Sequence, residues 1–193
     1  MMSKKKILLG MFVCGLAGAF IYFFRPDTQS NVAPLEVYIP ATSTVSAFDP
    51  RNTTYEIEGE SVALKNGEAR SEAAPGSASQ IVTRYFGNEA TGDLTGDGKD
   101  DIAYLITQDG GGSGLFYYAV VALKSETGYT LTNTFFVGDR IAPQSTEIHA
   151  EAGELHINYA ERKEGEPMST PPSVGAVLLL KVTTAGVLEG LME

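Results

Sequence analysis

The chain has 193 residues, of which 43% are hydrophobic, and this length suits one domain with a buried core plus an appendage. Four of the 14 basic residues, Lys4, Lys5, Lys6 and Arg25, precede the first acidic residue, Asp27. The remainder carries 10 basic and 24 acidic residues, a net charge of −14 within a total of −10. A surface this acidic repels phosphates, so the composition argues against nucleic acid as a partner.

An uncharged apolar run, ILLGMFVCGLAGAFIYFF, occupies residues 7–24 and follows the basic end at residues 1–6. A helix of this length spans about 27 Å, close to the roughly 30 Å hydrocarbon core of a bilayer. Basic residues beside such a helix stay on the cytoplasmic side. The sequence therefore predicts one N-terminal transmembrane helix in the cell membrane, with the N-terminus inside and the domain outside the cytoplasm.

Two other fates for this apolar run are open. Cleavage after Ala17-Gly18-Ala19 would make it a signal peptide, but the mature chain would then begin with an apolar FIYFF sequence. Lipid attachment at Cys14 normally needs a small preceding residue, and Val13 stands there. Cys14 is the only cysteine, so the part outside the membrane has no disulfide and no thiol nucleophile.

The rest of the chain divides into a linker at residues 25–53 and a domain at residues 54–193. The linker contains four of the nine prolines and many serines and threonines. In the domain, residues 102–107 and 115–123 are nearly continuous apolar runs, which is typical of strands buried on both faces. Residues 80–87 are rich in β-branched and aromatic side chains and also predict a strand.

Turn signals recur every 8–12 residues along the domain, and Asn66-Gly67 is the strongest of them. Together they predict about eight strands and no further long helix. The expected fold is mainly β, either an antiparallel sandwich or a single curved sheet.

Oxygen-bearing residues recur at every second position of an acidic turn, with Gly98 at the sixth place. They fill positions 1, 3, 5, 7 and 9 of a calcium loop: Asp93, Thr95, Asp97, Lys99 through its backbone carbonyl, and Asp101. An EF-hand has a bidentate Glu at position 12, where this chain has Tyr104. A weak Ca²⁺ site, with a dissociation constant of roughly 10⁻⁴–10⁻³ M, is one prediction, and a plain turn built from good turn formers is the other.

The residues DLTGDGKDDIA resemble the acidic loop of FG-GAP and VCBS-type repeats, in which such a loop joins two strands and binds calcium. The chain has no second copy, so a propeller built from repeats is not expected. A wider pattern comprises GDLTGDGKDDIAYLIT, GGSGLFYYAVVAL, VGDRIAPQSTEI and INYAERKEGEPMSTPPSV. This pattern resembles a domain of uncharacterised secreted or lipid-anchored bacterial proteins, which implies a fold and a location outside the cytoplasm but no reaction.

A glycine string follows the first of the two apolar runs, at residues 108–114. Its spacing fits neither a nucleophile elbow nor a phosphate-binding loop, so it predicts a hairpin turn. Further along, Asp139 and Arg140 predict either an ion pair that fixes a strand end or a small polar site.

Residues 146–160, TEIHAEAGELHINYA, predict a hairpin with Ala152-Gly153 as a two-residue turn. His149 is then expected opposite His156 on a polar face. The members of that face are Glu147, His149, Glu151, Glu154, His156 and Asn158. Two histidines beside carboxylates suit zinc or copper, although the same pattern is also the solvated face of an ordinary hairpin.

No motif in the sequence identifies an activity, and a non-catalytic role is favoured. The leading hypothesis is a membrane-anchored extracytoplasmic domain that binds calcium in the 93–101 loop, for stability or for contact with an envelope protein partner. One alternative is an envelope hydrolase, which would need a base and a nucleophile that the sequence does not reveal. Another is a transition-metal-binding protein that uses His149 and His156.

Overall fold

The computed structural model describes residues 47–191, which form strands and turns almost throughout. The predicted membrane helix at residues 7–24 lies outside the described residues, and between residues 47 and 191 no helix is long and apolar enough to cross a bilayer. The mainly β prediction is confirmed. The described part contains one 3₁₀ turn, Pro50–Asn52, and 12 strands, not about eight, because strands such as EARSE carry too little apolar alternation to be recognised.

The strands, in chain order, are β1 (Thr54–Ile57), β2 (Glu60–Ala63), β3 (Glu68–Glu72), β4 (Gln80–Gly92), β5 (Asp101–Asp109), β6 (Leu115–Lys124), β7 (Tyr129–Leu131), β8 (Phe135–Asp139), β9 (Ala142–His149), β10 (Glu154–Glu161), β11 (Val174–Val182) and β12 (Leu188–Gly190). All their pairings are antiparallel. A six-stranded central sheet has the order β3-β4-β5-β6-β7, with β8 also beside β6. A second sheet has the order β12-β11-β10-β9, and β1 and β2 form a separate hairpin.

The central strands β5 and β6 serve two hydrophobic cores, because successive side chains of a strand point to opposite faces. On one face, Leu105 and Val121 belong to a buried cluster with Leu155, Ile157 and Leu180 of the second sheet. This packing of two sheets is sandwich-like.

The other face of the central sheet carries a second core beneath the β1–β2 hairpin. Tyr104, Ile106 and Val120 are buried there together with Tyr55 and Ile57. The prediction that residues 102–107 and 115–123 form strands covered on both faces is thereby confirmed.

The segment before β1, which the sequence places at the end of the linker, contacts the domain in the structure. The Phe48 ring lies 5.2 Å from that of Tyr129 and 6.2 Å from that of Tyr104, measured between centroids. The backbone N–H of Gly67 donates to the carbonyl of Arg51 at 2.8 Å. These contacts hold residues 48–53 on the core.

Two consecutive tight turns join β1, β2 and β3. The first is Glu58-Gly59 and the second is the predicted Asn66-Gly67, and all four residues have positive φ, as a type I′ hairpin turn requires. The first hairpin continues for four residue pairs. In the second, Lys65 and Glu68 exchange backbone hydrogen bonds of 3.0 and 3.3 Å. Beyond this pair, β2 is hydrogen-bonded to β1, and β3 is hydrogen-bonded to β4. The second hairpin therefore opens after a single rung.

The β9–β10 hairpin has a different register from the predicted one. His149 lies opposite Glu154, and Ile148 lies opposite Leu155. The predicted two-residue turn is wrong because residues 150–153 form a longer turn, in which the N–H of Ala152 donates to the carbonyl of His149 at 3.0 Å. The shift is two residues, which matches the side-chain period of a strand, so the residues of β9 and β10 keep their predicted faces. Ala150 and Glu151 were also predicted on those faces, but they lie in the turn.

Candidate functional site

The first carboxylate of the acidic loop is bonded to the loop's own backbone. One oxygen of Asp93 accepts hydrogen bonds from the N–H groups of Gly96 at 2.7 Å and Asp97 at 3.1 Å, and the other accepts from Gly98 at 2.8 Å. Gly96 and Gly98 have φ of +76° and +81°, a conformation that glycine adopts without strain. Asp93 thus caps the turn that joins β4 to β5.

In the middle of the loop, the ammonium group of Lys99 lies against a carboxylate. Asp97 accepts from the backbone N–H of Lys99 at 3.0 Å and from its ammonium group at 3.1 Å, and that ammonium also lies 3.3 Å from Glu126. The hydrogen bond from the Lys99 side chain lowers the pKa of Asp97, and the same contact raises the pKa of Lys99. Both groups are therefore held in their charged forms.

The last carboxylate, Asp101, is completely buried at the start of β5. It accepts from the N–H of Leu94 at 3.2 Å and from that of Lys124 at 2.9 Å. Burial raises the pKa of Asp101, although the two backbone donors oppose the shift. This side chain ties the loop to the end of β6.

The structure therefore brings all five predicted calcium ligands into one turn, with Thr95 and Asp97 exposed and Asp93 half-buried. All three carboxylates among these ligands, Asp93, Asp97 and Asp101, already accept hydrogen bonds. Among residues 47–191, no group of three or more His, Cys, Asp and Glu side chains is arranged to hold a metal ion. A calcium ion would have to replace part of the bonding at Asp93 and Asp97.

The two histidines of the β9–β10 hairpin are diagonal neighbours with stacked rings. Their centroids are 3.9 Å apart and their planes are inclined by 31°. Nε2 of His156 lies 2.8 Å from Glu154, and Nε2 of His149 lies 3.6 Å from Glu147. Each imidazole thus pairs with the glutamate two residues before it on the same strand.

The predicted ion pair at the end of β8 is confirmed. Asp139 binds the Arg140 guanidinium at 2.6 Å and accepts from the N–H of Leu115 at 2.9 Å. Arg162 donates to the Arg140 carbonyl at 2.9 Å and so extends the same network. Burial alone would raise the pKa of Asp139, but the hydrogen bonds from Arg140 and Leu115 outweigh it and lower the pKa. The role of this network is to fix where β8 ends.

The sequence did not predict a groove of about 620 Å³ between β2 and β3. It forms where the second hairpin opens after the Lys65–Glu68 rung. Its lining includes Ser61, Val62, Arg70, Glu72, Thr83 and Gln108. Asn66-Gly67 predicts the turn, but the sequence carries no signal that the two strands find other partners beyond it.

The groove is polar and mainly acidic at its rim. Glu58 and Glu60 line it from the first turn and the start of β2, whereas Arg70 and Glu72 line it from β3 and direct their side chains to the opposite face of the sheet. The Arg70 guanidinium is bonded to Glu68 at 2.7 Å, so its charge is already partnered. The rim therefore presents an excess of negative charge.

Comparison of the chain with known protein families, with curated proteins and with solved structures found no match. The roles of the loop, the histidine face and the groove therefore have to follow from their geometry.

Proposed function

We propose that this chain is a non-catalytic, membrane-anchored domain outside the cytoplasm that binds a protein partner of the bacterial envelope. The groove between β2 and β3 is the observation that carries the binding role, because it presents strand edges that no described strand pairs with. The apolar run at residues 7–24 and the lysines before it support the location.

The location is tested by fusing alkaline phosphatase, which is active only outside the cytoplasm, to the C-terminus of the full chain in a bacterial host. The expected result is phosphatase activity that stays with the membrane fraction after washing at high pH. Replacing Lys4, Lys5 and Lys6 by Glu is expected to reduce that activity, because the charge bias that orients the helix is removed. A fusion that is inactive, or that washes off the membrane, contradicts the proposed location.

A second candidate role is calcium binding in the 93–101 loop, for stability or for partner contact. One observation favours it: the predicted ligands share one loop, and Thr95 and Asp97 are exposed to solvent. Calcium at 100 times its dissociation constant would add about 2.7 kcal/mol to the free energy of unfolding if it binds only the folded chain. The competing observation is the bonding of Asp93 and Asp97 within the loop.

The calcium role is tested by thermal melting of the full chain in detergent, in EDTA and then in 10 mM calcium. The melting temperature is expected to rise by several degrees in the native chain and not in Asp97→Ala. Asp100→Ala is the matched control, since Asp100 is an exposed acidic neighbour outside the ligand pattern. No rise in the native chain, or an equal rise in Asp97→Ala, rejects the site.

The transition-metal and hydrolase hypotheses have less support. A transition metal bound at Nε2 of His149 and His156 would displace the glutamate that each Nε2 contacts, and among residues 47–191 no third ligand completes a group with them. Within residues 47–191, no observed geometry favours an envelope hydrolase.

A further inference from the structure

We propose that the β2–β3 groove receives an extended basic segment of the partner protein, which adds to the domain as a β-strand. This inference rests on the proposed binding function and specifies its partner chemistry. The edges of the groove, its floor and its charge each contribute to the argument.

The two walls of the groove are strand edges without a partner among the described residues. β2 pairs with β1 on one side, and β3 pairs with β4 on one side. Their other sides meet only at Lys65 and Glu68 and then diverge. An unpaired edge presents backbone N–H and C=O groups that an extended peptide can satisfy. At roughly 3.3 Å per residue, the five residues of β3 would align with about 16 Å of an added strand.

The floor of the groove provides contacts for alternate side chains of such a strand. Ile81 offers a half-buried apolar surface, and half-buried Gln108 offers an amide that is held by a 3.4 Å hydrogen bond to the buried hydroxyl of Thr83. Backbone pairing supplies affinity in this mode of recognition, and pockets for every second side chain supply specificity. Only every second side chain of the strand points to this floor, so a sequence that alternates apolar and polar residues can place its apolar side chains against Ile81 and direct its polar ones to solvent.

The negative charge of the rim favours an incoming strand that carries basic side chains. Glu58 and Glu60 provide the negative charge of the rim, and the basic residue that lines the groove, Arg70, is bonded to Glu68 on the opposite face of the sheet. Lysine or arginine in the incoming segment would complement this excess. A second copy of the chain is disfavoured as the occupant, because the same acidic rims would then approach one another.

The test measures fluorescence anisotropy of three labelled octapeptides with the full chain in detergent. The first alternates valine and lysine, the second has glutamate in place of lysine, and the third is the lysine peptide with alternate amides N-methylated. The lysine peptide is expected to bind and the glutamate peptide to bind at least tenfold more weakly. The N-methylated peptide should also lose at least tenfold, since it keeps the charge but cannot pair as a strand.

A variant of the rim locates the binding. The variant Glu60→Lys should weaken the lysine peptide by roughly three- to tenfold and strengthen the glutamate peptide. Glu164→Lys, in an exposed turn elsewhere, is the matched control and should change neither. Melting curves establish that the variants fold. No binding of the lysine peptide, equal binding of the N-methylated peptide, or no response to Glu60→Lys overturns the proposal.

A cross-linking experiment separates this proposal from the broader function. A photoreactive amino acid is placed at Ala63 in the groove or at exposed Phe136 on β8, and the full chain is cross-linked in bacterial membranes. A protein captured at Ala63 by a lysine- or arginine-rich extended segment, identified from the cross-linked peptide, supports the strand proposal. A partner captured only at Phe136 leaves the binding function standing and overturns the groove as its site.

Discussion

In the loop from Asp93 to Asp101 the carboxylates accept hydrogen bonds from the main chain, whereas on the β9–β10 hairpin the polar side chains pair with one another. Asp93 and Asp101 together bond five backbone N–H groups. The glutamates of the hairpin contact His149 and His156 instead, on a surface where the His149 side chain is 46% exposed. Both regions have the residue types of a cation site, but only in the first do those residues also determine the local fold.

The sharpest test of this difference is Asp101→Ala. The change leaves the N–H of Leu94 without its acceptor in a buried place and that of Lys124 without its acceptor in a partly buried one. An unsatisfied buried donor costs about 1–3 kcal/mol, so the free energy of unfolding should fall by roughly 2–4 kcal/mol. Urea denaturation of the full chain measures it, with Asp100→Ala as the control expected to stay within about 0.5 kcal/mol. A loss for Asp101→Ala no larger than for the control would contradict the assigned role.

A smaller loss is expected for Asp93→Ala. Its carboxylate caps three N–H groups in a turn that is partly open to water, and water can replace some of those bonds. By analogy with the loss of a helix N-cap, the cost should be roughly 1–2 kcal/mol in the same urea experiment. Asp93→Asn keeps one acceptor oxygen and should lose less than Asp93→Ala. Equal losses for the two variants would show that charge, not hydrogen bonding, matters here.

Asp139 combines the two kinds of bonding, since it both accepts a backbone N–H and pairs with Arg140. Its contribution to the free energy of unfolding is expected to depend on pH. Its pKa is lowered from the ordinary value of 3.8, so the folded chain binds this proton less readily than the unfolded chain. The resulting stability is present above pH 3.8 and is lost as the pH falls through the lowered pKa.

Asp139→Asn should therefore be less stable than the native chain at pH 7, by about 1 kcal/mol, and the two should converge as the pH falls below 3.8. Urea denaturation at a series of pH values measures the difference. A constant gap across that range would mean that Asp139 titrates alike in the folded and unfolded chains.

The smallest effect is expected on the histidine face. His149→Ala and His156→Ala remove partly exposed contacts with glutamate and a stacked contact, so each should change the free energy of unfolding by no more than about 0.5 kcal/mol. A loss comparable with that of Asp101→Ala would show that this face, too, determines the local fold. The comparison between the two regions would then fail.

Much of the fold was predictable from the sequence because the relevant signals are local. The Asn66-Gly67 pair predicts its turn through the positive φ that these residues accept. Residues 102–107 predict a strand buried on both sides by their unbroken apolar character. The division of residues 147–149 and 154–158 into two faces follows from the period of two and is unaffected by an error of two residues in register.

Only the tertiary structure decided the register of the strands, the pairings beyond single hairpins and where the carboxylates point. The register of β9 and β10 depends on the turn formed by residues 150–153, and the opening of the β2–β3 hairpin depends on competition from β1 and β4. The spacing of Asp93, Asp97 and Asp101 specifies oxygen atoms but not the N–H groups that reach them. The whole domain also joins segments that are distant along the chain, such as Lys124 with Asp101 in a hydrogen bond and Leu105 with Leu155 in the core. The choice among pairings and donors is therefore made only when the whole domain packs.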